Sequence, residues 1–417
     1  MSRYIKFLST VTLILIILAT LGGLTWGNTL FARENLGETD FLVPWLAAQT
    51  FLEYGNNPYS DPVTQRSQLI HYGRLADIGE DPLRLHVPFP AMFIYFPFAL
   101  IDAYPLARGM WMTLLEIALV AFAFMTIKVS GWRINRFLLL ALLLLSIFWV
   151  FGLFPLFYGQ AIILVSLSTV GVLLALRGEQ DELAGALLVP LLFKPSLCGL
   201  LFIFLMGSAI AHRRWGVLGG FLMASGILVG LSFLLLPDWL LPYLRSLVVH
   251  LSFNPGITPA GIFISIWPSV GKQIGWIITA LLTLLLAFEF RAMLQKESRH
   301  QIWTSSLIIA ASPLIGFPIS PFDYLIMFIP LILILAIIAE RWRGSQKWLY
   351  RSIVITVLLV TLWVWIWLYF YKPSSTEVAV NLTLVFPFLL LLGLYWIRWW
   401  AIHPPRTWFE IIRNELR

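Results

Sequence analysis

The chain has 417 residues, 59% of them hydrophobic and 12% charged, with a net charge of +7. Soluble domains carry about 25% charged residues, so this composition excludes a soluble domain with one anchor and describes a polytopic membrane protein. The single cysteine, Cys198, excludes an intramolecular disulfide framework and a cysteine-built metal site. The excess of lysine and arginine is read by its distribution between the faces of a bilayer, not as a nucleic-acid signal.

The start, MSRYIKFLSTVTLILIILATLGGLTWG, joins basic residues to an apolar run of about twenty residues, the length that crosses a bilayer. It reads as an uncleaved first span with its N-terminus in the cytoplasm. The segment 28–86 is the longest polar stretch and carries four basic and eight acidic residues, which suits the outer face. Two juxtamembrane helices are predicted within it. One starts at Asp40 and stops at Gly55; the other starts at Asp61-Pro62, an N-cap followed by a proline, and ends near Gly79.

Apolar segments follow at about 89–103, 108–127, 137–155, 160–176, 183–210, 214–236, 263–289, 302–319, 322–339, 352–371 and 378–399, which with the first helix make twelve spans. The loops 291–300 and 340–351 and the C-terminal tail are basic and are expected in the cytoplasm. The loops 237–261 and 371–377 are expected outside. The loop KVSGWRINR (128–136) is in conflict: counting spans puts it outside, but its three basic residues belong inside. The conflict resolves if 89–127 crosses once, with a re-entrant piece, and 183–210 is a pair of half-length helices broken at Lys194-Pro195. Without repeats or low-complexity tracts, 1–417 reads as one domain, with its site between the outer loops 28–86 and 237–261.

Few polar residues lie in or beside the spans, and each is expensive there. Asp40 precedes a helix and reads as an N-cap, a general base, or both. Lys194, in LLVPLLFKPSLCGLL, reads as a phosphate partner or as a snorkelling lysine at a helix end. Gln160, in FYGQAII, can hydrogen-bond a sugar or a neighbouring helix. The outer loop VVHLSFNPG offers His250 and Asn254, without a second histidine at metal spacing. Asp323-Tyr324, just inside a span, marks a buried polar site or the cap of the helix starting there. No HExxH, GxSxG or Walker motif occurs.

In their order along the chain these elements resemble the integral-membrane glycosyltransferases of family 87 (DUF2029) in the GT-C superfamily. The resemblance runs from Thr39-Asp40-Phe41 through Trp45, Ala47-Ala48 and Gly55-Asn56-Asn57-Pro58-Tyr59 to Pro88-Phe89-Pro90 and Phe96-Pro97. It continues at Tyr158-Gly159-Gln160, Ala184-Gly185, Lys194-Pro195 and Ser320-Pro321-Phe322-Asp323-Tyr324, covering residues 5 to 340. Ile162 stands where the family often has Asn, and Asp323 where some members have His.

The resemblance implies an all-α GT-C bundle of about twelve membrane helices with juxtamembrane helices in the first outer loop. It implies an inverting enzyme of the inner membrane that transfers a hexose or pentose, mannose favoured. The donor is a polyprenyl-phosphate sugar and the acceptor a hydroxyl of a glycolipid or glycan, on the outer face, without a cofactor or obligatory metal. Asp40 is then the base. The leaving phosphate gains charge as the glycosidic bond breaks and calls for a cation: Lys194 first, then His250 or Arg245. Tyr59, Gln160, Asn254, Asp323 and Tyr324 complete the expected substrate-binding set.

The principal alternative is a transporter or lipid flippase, which would place Lys194-Pro195 and Asp323 at a midplane site; the lack of internal symmetry counts against it. An O-antigen ligase or polymerase would carry its large outer loop late in the chain. A scaffold without catalysis fits less well with the prolines and charges at span ends.

Overall fold

A computed structural model describes residues 2–35, 40–253, 257–294, 298–315, 319–342, 347–372 and 374–403. Helices are the regular elements among these residues, apart from an isolated bridge between Ile257 and Ile319. Seven of the helical segments are long and apolar enough to cross a bilayer: Phe7–Glu34, Tyr104–Ser130, Trp215–Leu235, Gly271–Met293, Asp323–Trp342, Arg351–Tyr371 and Val380–Ile402. Arg136–Phe148 and Val150–Phe157, bent by 50° against each other, add an eighth if the pair is one span. Shorter apolar helices run over Ile162–Arg177, Pro195–Ala211 and Leu240–Phe253. The chain is an all-helical, multi-pass membrane protein. It folds as two compact units, described in turn.

The first unit comprises residues 1–119, 154–163 and 227–255. Helix α1 (Ser2–Glu34) leaves its apolar side chains from Phe7 to Leu24 largely uncovered by protein, as a lipid-facing helix does. It continues well past Asn28, the expected start of the polar segment, because its last turns pack on Tyr104–Ser130. There the Asn28 amide donates to Thr113 and Glu116, each at 3.1 Å. A Cβ at Gly109 would sit 2.4 Å from the Thr29 hydroxyl, so glycine is what lets the two helices touch.

Helices α2 (Leu42–Tyr54) and α3 (Asp61–Tyr72) form the polar segment after α1. Gly55 ends α2 in the left-handed region (φ 65°), as expected. Ser60, one residue before Asp61, holds the N-cap position of α3. That helix stops at Gly73 (φ 71°), short of Gly79, because the Gly73 N–H closes on the Leu69 carbonyl and the chain then turns back.

The turn after Gly73 is tied by Arg74, which donates to both Glu80 carboxylate oxygens at 2.8 Å. Those bonds, with one from the Asp77 N–H, hold the Glu80 carboxyl down at about 2. A depressed carboxylate stabilises above its unfolded pKa and loses that contribution as pH falls through its folded one. Amide exchange across 74–80 is therefore expected to quicken between about pH 4.5 and 2, and to be fast at neutral pH in Arg74→Ala. The pair is exposed, so the effect is local and weakened by salt.

The apolar run expected to cross at 89–103 is not one helix. It forms two four-residue helices, Phe89–Met92 and Phe96–Ala99, each with a proline in its first turn. Tyr104–Ser130 follows as a single long helix.

The second unit comprises residues 120–153, 164–226 and 256–417. The stretch 181–211 is a broken hairpin: Asp181–Leu187, a 3₁₀ turn at Val189–Phe193, then Pro195–Ala211. Proline disfavours helical geometry in the residue before it, and Lys194 sits at φ −130°, ψ 66°. The two ends of the hairpin meet where Arg214 pairs with Asp181 and donates to the Leu176 carbonyl at 3.1 Å.

One end of this unit gathers the basic loops. Arg177 donates to the Val129 carbonyl at 2.7 Å, and Arg299 to the Ala401 carbonyl at 3.2 Å and to Glu340 at 2.8 Å. Residues 128–136 therefore share an end with 299, 340 and 401. Tyr104–Ser130 precedes this loop as one continuous helix.

Candidate functional site

Asp40 lies in a two-residue turn leading into α2 and is exposed. The cap position of α2 is Phe41, one residue later than expected, and its side chain makes no capping bond. The Asp40 backbone N–H takes part in closing the end of a neighbouring helix. Three successive carbonyls at the end of Val150–Phe157 would otherwise be left without helical partners. The Phe157 carbonyl accepts from Arg108 (2.9 Å), that of Tyr158 from the Asp40 N–H (2.9 Å), and that of Gly159 from the Trp111 indole (2.8 Å). Arg108, 1% exposed, also donates to the Asn35 carbonyl, fastening the end of α1 to the same turn.

The Phe41 ring stacks on Trp111 at 5.2 Å and 17°. Gly159 is left-handed (φ 66°), and a Cβ there would meet Phe41 Cβ at 3.1 Å. Gly159→Ala is expected to cost about 1–2 kcal/mol in backbone strain alone and to loosen the Asp40 turn. Lower thermal stability together with faster exchange of the Asp40 amide would show both. Two elements singled out in the sequence, Asp40-Phe41 and Tyr158-Gly159-Gln160, thus meet in one unit. The Gln160 Oε1 is buried there with no hydrogen-bond partner.

A cavity of about 560 Å³ runs along α2, beginning two residues from Asp40. Leu42, Trp45, Leu46, Gln49 and Glu53 line it at the spacing of one helix face. Their span, twelve residues, is about 16 Å of helix. The floor is apolar except for Gln49, 5% exposed, whose Oε1 also has no partner. The rim carries Glu53, Arg66 and Asp102, all exposed and in no ion pair among the described residues. Sequence reasoning missed this groove, because α2, α3 and residues 102–104 supply its wall jointly.

Tyr59 is 5% exposed and donates to the Val87 carbonyl at 2.8 Å. Burial, with Tyr243 nearby, raises the phenol far above its ordinary range and keeps it neutral. Its hydroxyl therefore ties the start of α3 to residue 87. His250 is stacked on His86 at 3.7 Å and 12°; nothing in the local sequence singles out His86. Arg245 is exposed on the same helix as His250. Asn254, like Thr39, lies outside the described residues.

In the second unit the structure pairs two residues that the sequence offered separately. Lys194 Nζ lies 3.2 and 3.3 Å from the two Asp323 oxygens. Asp323 is 5% exposed, and the Lys194 side chain about a third. Tyr324 is fully buried, 5.6 Å from the Phe151 ring, and is a core residue. Among the described residues, no three His, Cys, Asp or Glu side chains come together to hold a metal. Comparison with protein families, with curated proteins and with solved structures finds no match.

Proposed function

We propose that the chain is a membrane glycosyltransferase with Asp40 as general base. It would move a hexose or pentose, mannose favoured, from a polyprenyl-phosphate sugar to an acceptor hydroxyl of a glycolipid or glycan. The observation that carries this reading is the seating of Asp40. Its backbone is fixed on the Tyr158 carbonyl, two residues before Leu42, the first wall residue of the α2 groove. A base must be held within hydrogen-bond reach of its proton, and a carboxylate on a pinned turn beside a polar-rimmed groove meets that need.

In the reaction the Asp40 carboxylate takes the acceptor proton. The acceptor oxygen attacks the anomeric carbon, and the bond to phosphate oxygen breaks with its electron pair leaving on the polyprenyl phosphate. A single attack inverts the centre and needs no enzyme nucleophile, unlike a retaining double displacement. Of the expected phosphate partners, His250 and Arg245 belong to the same unit as Asp40, whereas Lys194 belongs to the second unit and is paired with Asp323. The reading goes with a GT-C-type bundle in the inner membrane, with cytoplasmic termini and an outer-face site.

The test is transfer by the purified chain in detergent, using synthetic polyprenyl-phosphate mannose, glucose and arabinose with mixed glycolipid acceptors. A new glycoside bond is expected from at least one donor. A monodisperse protein that forms none with any donor overturns the reading.

A second reading, a transporter or flippase, is favoured by one observation: Lys194 and Asp323 pair where two helices are irregular, the setting of midplane substrate sites. It predicts movement of labelled polyprenyl-phosphate sugar across vesicles with no new glycoside.

A further inference from the structure

At the basic end of the second unit a cavity of about 430 Å³ opens between the loop 129–133 and residues 177, 299, 340 and 401. Three guanidinium groups line it, from Arg133, Arg177 and Arg299, against one carboxylate, Glu340. Arg177 reaches the 128–131 turn, where its guanidinium donates to the Val129 carbonyl at 2.7 Å and Gly131 is left-handed (φ 70°). Below the arginines the wall turns apolar, with Leu333 and Ile337 one helical turn apart on Phe328–Trp342.

The depth of this cavity in a bilayer follows from its walls. The helix ends around it, near 130, 340 and 401, terminate three of the membrane-crossing segments. A cavity at such ends lies at headgroup level, with its apolar floor directed toward the hydrocarbon. Its positive excess calls for an anion, and its apolar floor for an amphipathic one. Free phosphate would leave the lower half unfilled. Lys128, Arg136 and Arg341 add positive charge at the same end, which by the positive-inside rule faces the cytoplasmic leaflet, where anionic lipids concentrate.

We propose that this cavity binds an anionic phospholipid. The phosphodiester sits among Arg133, Arg177 and Arg299, and the first acyl carbons lie on Leu333 and Ile337. The site is independent of any transfer chemistry in the first unit.

The experiment is native mass spectrometry of the purified full chain in micelles holding equimolar phosphatidylglycerol and phosphatidylcholine. Wild type is expected to retain phosphatidylglycerol in preference. Arg133→Gln and Arg177→Gln should each lower that preference about fivefold, the factor for one basic residue near an anionic headgroup. Equal retention of the two lipids by wild type overturns the proposal whatever the variants do. So does an unchanged preference in both variants. Inorganic phosphate, added as a competitor, separates the two sources of the anion. Retention that survives it assigns the site to the lipid, whereas complete displacement by phosphate alone overturns the lipid assignment.

Discussion

Asp40→Asn is expected to leave the chain folded and monodisperse while lowering sugar transfer by about 10²–10⁴-fold, the usual contribution of a positioned base. The expectation rests on a separation of roles within the residue. The backbone N–H of Asp40 holds the turn on the Tyr158 carbonyl, and asparagine keeps that bond. Phe41, which packs against Trp111 and Tyr104, is untouched. The substitution removes a negative charge and a proton acceptor. Transfer rates and melting temperature should therefore diverge, with the first collapsing and the second moving little. Undiminished transfer by the variant would remove Asp40 from the chemistry. A parallel loss of stability would show that the carboxylate holds the turn.

Lys194→Ala is expected to destabilise the second unit by about 3 kcal/mol, because removing one partner leaves a buried charge uncompensated. The two halves of the pair are unequal. Asp323 is almost wholly enclosed, while about a third of the Lys194 side chain is open. Stranding the aspartate should therefore cost more than stranding the lysine, so Asp323→Asn should be milder. Replacing both, as Lys194→Met with Asp323→Leu, should recover most of the loss, since a buried ion pair adds little net stability over apolar residues of similar volume. Thermal unfolding of the three variants in one detergent measures this order. A double variant no more stable than Lys194→Ala would point to another partner of the lysine or to a packing defect. Under the transport reading, the double variant would be stable yet unable to move its substrate.

What the sequence made legible is what local chemistry dictates. The membrane class follows from apolar runs. The end of α2 follows from Gly55, and the break in 181–211 from Pro195. The failures are equally physical. Gly73 and Gly79 both adopt positive φ, and only the Arg74–Glu80 clasp shows why the chain turns at the first. The run 89–103 is apolar enough to cross, yet Pro90 and Pro97 start short helices there instead. Arg108 reads as an ordinary arginine at a span end. Its clamp on Asn35 and Phe157 uses backbone carbonyls, which have no signature in the sequence. The pairs His86–His250 and Lys194–Asp323 join residues far apart in the chain, and their partnership exists only in the fold.

The 181–211 hairpin also bears on how the protein is made. Pro195–Ala211 has 17 residues, about 25 Å of helix, and the arm before it is shorter; neither matches a hydrocarbon layer of about 30 Å. The translocon therefore meets two segments too short to be released one at a time, with a lysine between them, and must pass them to the lipid as a pair. Asp323 is synthesised 129 residues later. Until it arrives, the Lys194 charge lacks this counter-ion, so the middle of the chain reaches its final charge balance only after most of the C-terminal half has been made.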